Sequence, residues 1–349
     1  MPDRRPGFRI GDRTVAAGAR ATIELPVSAL SDHTPVNLSV HVVHGRRPGP
    51  VIFVSAAIHG DEVIGVEIVR RLLHAPQLDT MAGTLIAVPI VNTFGFLNHS
   101  RYMPDRRDLN RCFPGSAGGS LAARLAHRFL NEVVARAEIG IDLHSAAIHR
   151  TNLPQVRLSK RSGRTVDLAD AFGAPVVITS KLREGSLRLA AETMGVDMLL
   201  YEAGEGLRFD EGAARAGVTG ILRVMLALGM VSKKGVSRPK ARPLRCRASS
   251  WMRAPAAGLL RSFREVGEIV AEGDVLATVS DPFGEVETDV VAGMAGIVIG
   301  RAMMPIVNEG DAVCHIAETD DPAQAGEAVG ELTAQIEEAA AMADEDEII

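Results

Sequence analysis

Residues 36 to 44, VNLSVHVVH, alternate apolar and polar positions as a half-buried strand does. RRPGP then turns the chain into VIFVSAA, a continuous apolar run typical of a strand covered on both faces. Behind it Val63, Ile64, Val66, Ile68, Val69, Leu72 and Leu73 recur at helical spacing. Asp61 and Glu62 sit at the predicted helix start, where acidic side chains complement the helix dipole. TLIAVPIVN (residues 84 to 92) predicts another buried strand. Residues 120 to 137 predict a helix with Ser120 as its N-cap, and IGIDLHSA a strand closing at His144. This alternation predicts an α/β domain, a largely parallel or mixed sheet flanked by helices.

The texture changes after residue 235. SKKGVSRPKARPLRCR (residues 232 to 247) holds seven Lys/Arg and no acid, and its Pro and Gly mark a connector rather than a nucleic-acid patch, since no aromatics are interleaved. Short Val-rich stretches follow, separated by Gly-Asp and Pro turns. Residues 254 to 279 and 291 to 316 each run from a small-residue start through a long alternation to V-x-E-G-D, which predicts a duplicated β unit. The expected division is an N-terminal extension (1–34), the α/β domain (35–235), a basic linker (236–248), a small all-β domain (249–317) and an acidic tail (318–349).

Composition sharpens this outline. With 46 % apolar residues but only 4 % aromatic, the 349-residue chain suits helices packed on a sheet better than an aromatic-rich sandwich. The net charge of −5 hides a division: the 11 acidic residues from Glu318 onward, with no Lys or Arg, leave +6 for the rest. Such a tail predicts a solvated or frayed helix. Cys112, Cys246 and Cys314 have no CxxC spacing, which argues against a disulfide framework and for a reducing compartment. The N-terminus lacks a signal-peptide core, and no uncharged apolar run approaches the ~18 residues of a membrane span. A cytoplasmic protein without nucleic-acid or membrane partners is expected.

Chemistry gathers where strands end. In a doubly wound sheet, ligands bind beyond the carboxyl ends of the strands. His59 and Glu62 lie just past VIFVSAA, and His144 closes IGIDLHS, so all three are predicted on one edge. Two imidazoles and one carboxylate, with a fourth position for water, form the ligand set of a catalytic zinc site. Asn92 to Gly115 adds four arginines, Arg101, Arg106, Arg107 and Arg111. An Asn-Arg pair with a further Arg nearby suits a site that holds a substrate carboxylate and polarises a carbonyl.

HGDE (His59 to Glu62), RDLNRCFPG (Arg107 to Gly115), DLHS (Asp142 to Ser145) and YEAGEG (Tyr201 to Gly206), in that order, resemble the succinylglutamate desuccinylase/aspartoacylase family, itself similar to the zinc carboxypeptidases. The resemblance spans residues 35 to 230. It implies that His59, Glu62 and His144 bind one zinc ion per chain and that Glu202 is the general base. VDMLLYE independently reads as a buried strand ending at that carboxylate. The resemblance further implies Asn110 and Arg111 as a carboxylate-binding pair, Asp108 as the group orienting a ligand histidine, and Arg101 as the oxyanion arginine, with Arg106 and Arg107 as alternatives. With tyrosines only at 102 and 201, the C-terminal domain cannot offer the substrate a tyrosine as aspartoacylase does.

The duplicated unit resembles a lipoyl/biotinyl-carrier fold, but no Lys follows Lys240, so it has no attachment residue. It reads as a lid, a packing partner or a homo-oligomer contact. Absence of a G-x-S-x-G elbow and of a GxxxxGK[ST] loop sets aside serine and phosphate-loop chemistry. The expected activity is deacylation of a small N-acyl amino acid by zinc-activated water. The alternative is a zinc carboxypeptidase acting on peptide C-termini.

Overall fold

A computed structural model describes residues 5–159, 163–319 and 322–346, with the backbone alone at 322–324 and 339–346. Its core is a mixed sheet. The elements that build the site are strands β1 (Ala19–Ala29), β2 (Pro35–His44) and β3 (Arg47–Ala56), helix α1 (Ile64–His74), β4 (Ala82–Val88), α2 (Leu121–Glu132), β5 (Ile139–His144) and β6 (Arg150–Leu158). They continue with α3 (Gly163–Phe172), β7 (Val176–Thr179), α4 (Leu187–Thr193), β8 (Asp197–Gly204) and α5 (Glu211–Ala227). The C-terminal unit adds β9 (Ser249–Arg253), β10 (Gly258–Ser262), β11 (Val275–Ser280), β12 (Glu287–Val291), β13 (Gly296–Ala302), β14 (Ala312–Glu318) and α6 (Pro322–Asp346).

The spatial order is β9-β14-β13-β6-β8-β5-β3-β4-β2-β1, with β7 pairing alongside β6. At its centre β4, β3, β5 and β8 run parallel, whereas β2 and β6 flank them antiparallel. The expected mixed α/β architecture is therefore present. Period-2 alternation sorts the core: Ile52, Val54, Ile139, Ile141, Leu199 and Tyr201 face α1, α3 and α5, whereas Phe53, Ile86 and Met198 face α2 and α4.

Three expectations change at the edges. Residues before 35 are more than an extension, because β1 pairs along β2 from Ala19↔His44 to Ala29↔Pro35 and forms the sheet edge. Within the basic linker, Leu244–Cys246 pairs with β7 in parallel, and Arg245 forms an ion pair with Asp170. The acidic tail, expected as a solvated or frayed helix, is helix α6, and it is not solvated all round, because it buries Ala325, Val329 and Leu332. The reason is an apolar stripe within the acidic sequence. Residues 320, 321 and 347–349 of that tail lie outside the described residues.

The C-terminal unit is likewise not a sheet apart. β10, β11 and β12 belong to a separate four-stranded sheet, but β13 pairs with β6 and carries β14 and β9 onto the central sheet. Among the described residues no helix is long and apolar enough to cross a membrane.

Candidate metal centre and cavity

Strand ends place the key groups. β3 finishes at Ala56 and α1 begins only at Ile64, so His59, Asp61 and Glu62 lie in an intervening turn in which the Glu62 N–H donates to His59 O at 3.2 Å. Asp61 and Glu62 immediately precede the helix start; Val63 is the N-cap and no side-chain cap bond forms. Asp61 is buried and its Oδ1 has no hydrogen-bond partner among the described residues. Burial, followed by the charge of Glu62, raises its pKa. Gly60 has its own steric reason, since a Cβ there would lie 1.8 Å from the Gly95 carbonyl carbon.

His59, Glu62 and His144 converge and are all buried. Nδ1 of each histidine lies 2.7 Å from a different oxygen of Glu62. The distal nitrogens face carboxylates: His59 Nε2 is 3.2 Å from Asp108 Oδ1, and His144 Nε2 is 2.8 Å from Asp142 Oδ2. Each carboxylate can accept the Nε2–H of its histidine, the arrangement that would leave Nδ1 as a metal ligand. One atom from each of the three residues lies within 4.8 Å of the others, so the group could hold a metal ion. Two imidazole nitrogens and a carboxylate oxygen suit zinc.

The electrostatics match this crowding. Burial pushes the Glu62 carboxyl up, but His59 and His144 outweigh it and hold its pKa far below the usual range. Burial also opposes charge on His144, yet Asp142 and Glu62 raise its pKa well above the ordinary value. Asp108 is held low by His59 and Arg101 against the effect of its burial.

Arg101 lines the cavity, its guanidinium donating to Glu62 Oε1 (3.3 Å) and Asp108 Oδ2 (3.1 Å). Neither alternative does: Arg107 is exposed and paired with Asp105, and Arg106 is not a lining residue. Asn110 and Arg111 both line the cavity. The Asn110 side-chain oxygen accepts the Leu187 N–H at 2.9 Å, so part of its function is to seat α4, and Arg111 donates to the Asn110 carbonyl.

Glu202 lies opposite His144 in the register of β8 and β5. Met198, Leu200 and Glu202 face the same cavity at period 2, while Leu199, Tyr201 and Ala203 enter the core behind. The strand continues to Gly204 rather than stopping at the carboxylate. Glu202 Oε2 accepts from Asn152 Nδ2 at 2.9 Å and lies 3.0 Å from Arg157 NH2. The shared cavity has a volume of about 470 Å³.

Several lining residues escaped sequence reasoning. Asp142 had a signal, being two residues before His144 and so on the same strand face. Arg188 is an arginine among the apolar positions of SLRLAA. Its NH2 donates to Ser180 Oγ (3.0 Å) and Lys181 O (3.2 Å), while its buried NH1 has no partner among the described residues. Burial lowers its pKa. Trp251 and His315 had no local signal. They are paired residues of β9 and β14 whose rings stack at 4.5 Å and 14°, and they form a wall of the cavity with Ser249.

Two histidines and a carboxylate close enough to hold a metal ion thus stand at the carboxyl edge of the mixed sheet of an α/β protein. The chain belongs to the succinylglutamate desuccinylase/aspartoacylase family, whose catalytic domain matches residues 48–228. It is 27% identical over 311 residues to N-alpha-acetyl-L-2,4-diaminobutyric acid deacetylase of Halomonas elongata, covering 85% of this chain and 90% of that relative. The fold resembles the product-bound ectoine utilization protein EutE (DoeB) of Ruegeria pomeroyi, with a TM-score of 0.79 and 23% identity over 90% of this chain and 99% of that one. It also resembles a succinylglutamate desuccinylase/aspartoacylase of Rhodobacter sphaeroides, with a TM-score of 0.76 and 26% identity over 86% and 95%.

Proposed function

We propose that the protein is a cytoplasmic, zinc-dependent amidohydrolase that removes the acyl group from a small N-acyl amino acid. The observation that carries this reading is that His59, Glu62 and His144 share one cavity with Glu202. Zinc bound by such a triad supplies Lewis acidity, polarising a carbonyl and making water a nucleophile near neutral pH. Glu202 takes the proton of the attacking water and returns it to the leaving amine. Arg101 faces the oxygen on which negative charge develops, and Asp108 and Asp142 orient the two histidines. Three free cysteines fit a reducing compartment.

Substrate polarity follows from the walls. Arg111 and Asn110 bind the amino-acid carboxylate, and the cationic lining formed by Lys181, Arg183 and Arg188 favours a second anionic group. The wall of Ser249, Trp251 and His315 supports a small substrate over a peptide, whose remaining chain needs an open groove. In this reading residues 249–317 form a wall of the hydrolase site rather than a carrier.

A hydrolysis screen over N-acetyl, N-succinyl and peptide substrates with zinc present tests the proposal. Release of the amino acid from an N-acyl amino acid, faster for those bearing a second carboxylate, is expected. Preferential release of C-terminal residues from peptides would overturn it in favour of a carboxypeptidase.

A further inference from the structure

Glu202 is held through one oxygen only. Asn152 and Arg157 both approach Oε2, and no hydrogen bond engages Oε1 among the described residues. Such an arrangement anchors one oxygen and leaves the other to exchange protons. Arg157 approaches as a charged fork, whereas the Asn152 amide is a neutral directional donor from a side chain only 7 % exposed. β6 cannot by itself direct that amide. It is bordered by β13 of the C-terminal unit, where Gly300 stands opposite Asn152 in the antiparallel register.

Gly300 is not in the left-handed region of backbone space, so its φ does not require glycine. Its neighbour does. A Cβ at residue 300 would lie 2.5 Å from Asn152 Oδ1 and 3.2 Å from the Thr151 carbonyl oxygen. Asn152 fills this space with its oxygen, and its Nδ2 is thereby turned toward Glu202.

Building on the reading of Glu202 as general base, we propose that Asn152 is a positioning residue for the Glu202 carboxylate and that Gly300 makes the room that sets its orientation. The C-terminal unit then acts on the chemical step from behind the wall it forms. A carboxylate anchored by Arg157 alone retains its charge but adopts a wider range of orientations, which lowers the fraction aligned for proton transfer.

Steady-state kinetics on the zinc-loaded full chain test this. Asn152→Ala is expected to lower kcat by about tenfold or more, with KM within about twofold and zinc content unchanged. Gly300→Ala is expected to lower kcat in the same way, and the N152A/G300A pair to be no worse than N152A, because the group that clashes is gone. In a Glu202→Gln background, Asn152→Ala is expected to add nothing. A wild-type kcat for N152A alongside an inactive E202Q would overturn the positioning role while leaving the base assignment standing. An active E202Q would remove the base assignment itself. Additive losses in N152A/G300A would overturn the link to the C-terminal unit, and should G300A fail to fold, N152A alone and in the E202Q background still decides the role of Asn152.

Discussion

His144 Nε2 lies 2.8 Å from Oδ2 of Asp142, a residue on the same face of the same strand, and Ser55 donates to the other Asp142 oxygen at 2.7 Å. Asp142 is therefore locked before it locks the histidine. Removing such a partner of a metal-binding histidine typically weakens metal affinity about 10–100-fold. Asp142→Asn is expected to weaken zinc binding by that order, measured by competition with a chromophoric chelator. Unchanged affinity would show that the imidazole is oriented without it.

Substitution of the centre and of the base should separate metal binding from turnover. His144→Ala is expected to lose zinc, whereas Glu202→Gln keeps it and loses about 10²-fold or more in kcat. Metal analysis of purified protein alongside kcat distinguishes the two. If E202Q turned over near the wild-type rate, another group would have to move the proton.

The two arginine positions should act on binding. Arg111→Ala is expected to raise KM with a smaller effect on kcat, because a carboxylate clamp binds ground state and transition state alike. Arg188→Ala should raise KM about tenfold or more for a substrate with a second carboxylate and much less for one without. Equal changes for both substrates would remove the second anionic group from the account.

His315 sets a pH dependence of stability. Burial, reinforced by the charge of Arg157, lowers its pKa to about 3, below the ordinary value of 6.5. Protonation therefore favours the unfolded chain. The contribution of the neutral ring is fully present above pH 6.5 and is lost as the pH falls toward 3, with a slope of at most ~1.4 kcal/mol per pH unit. His315→Phe keeps a ring beside Trp251 but cannot titrate. Between pH 7 and 5 its unfolding free energy is expected to fall by about 1–2 kcal/mol less than that of the native chain, as read by urea denaturation. Parallel losses in the two proteins would contradict the assignment.

Periodicity alone determined the central strands and helices α1 and α2, because side-chain spacing is a local property of strand and helix, and the strand ends then placed His59, Glu62 and His144 on one edge. The order of four short motifs identified the family. Tertiary structure decided which arginine reaches the centre, since Arg101, Arg106 and Arg107 are close neighbours in sequence and only the fold of their loop separates them. It also decided that Asn152 grips Glu202. Strand pairing between β6 and β13 brings Gly300 against Asn152 across nearly half the chain, and pairing of β9 with β14 carries Trp251 and His315 onto the cavity wall. No local pattern encodes such contacts, because a strand's own alternation fixes which of its faces is buried but not which distant strand pairs with it.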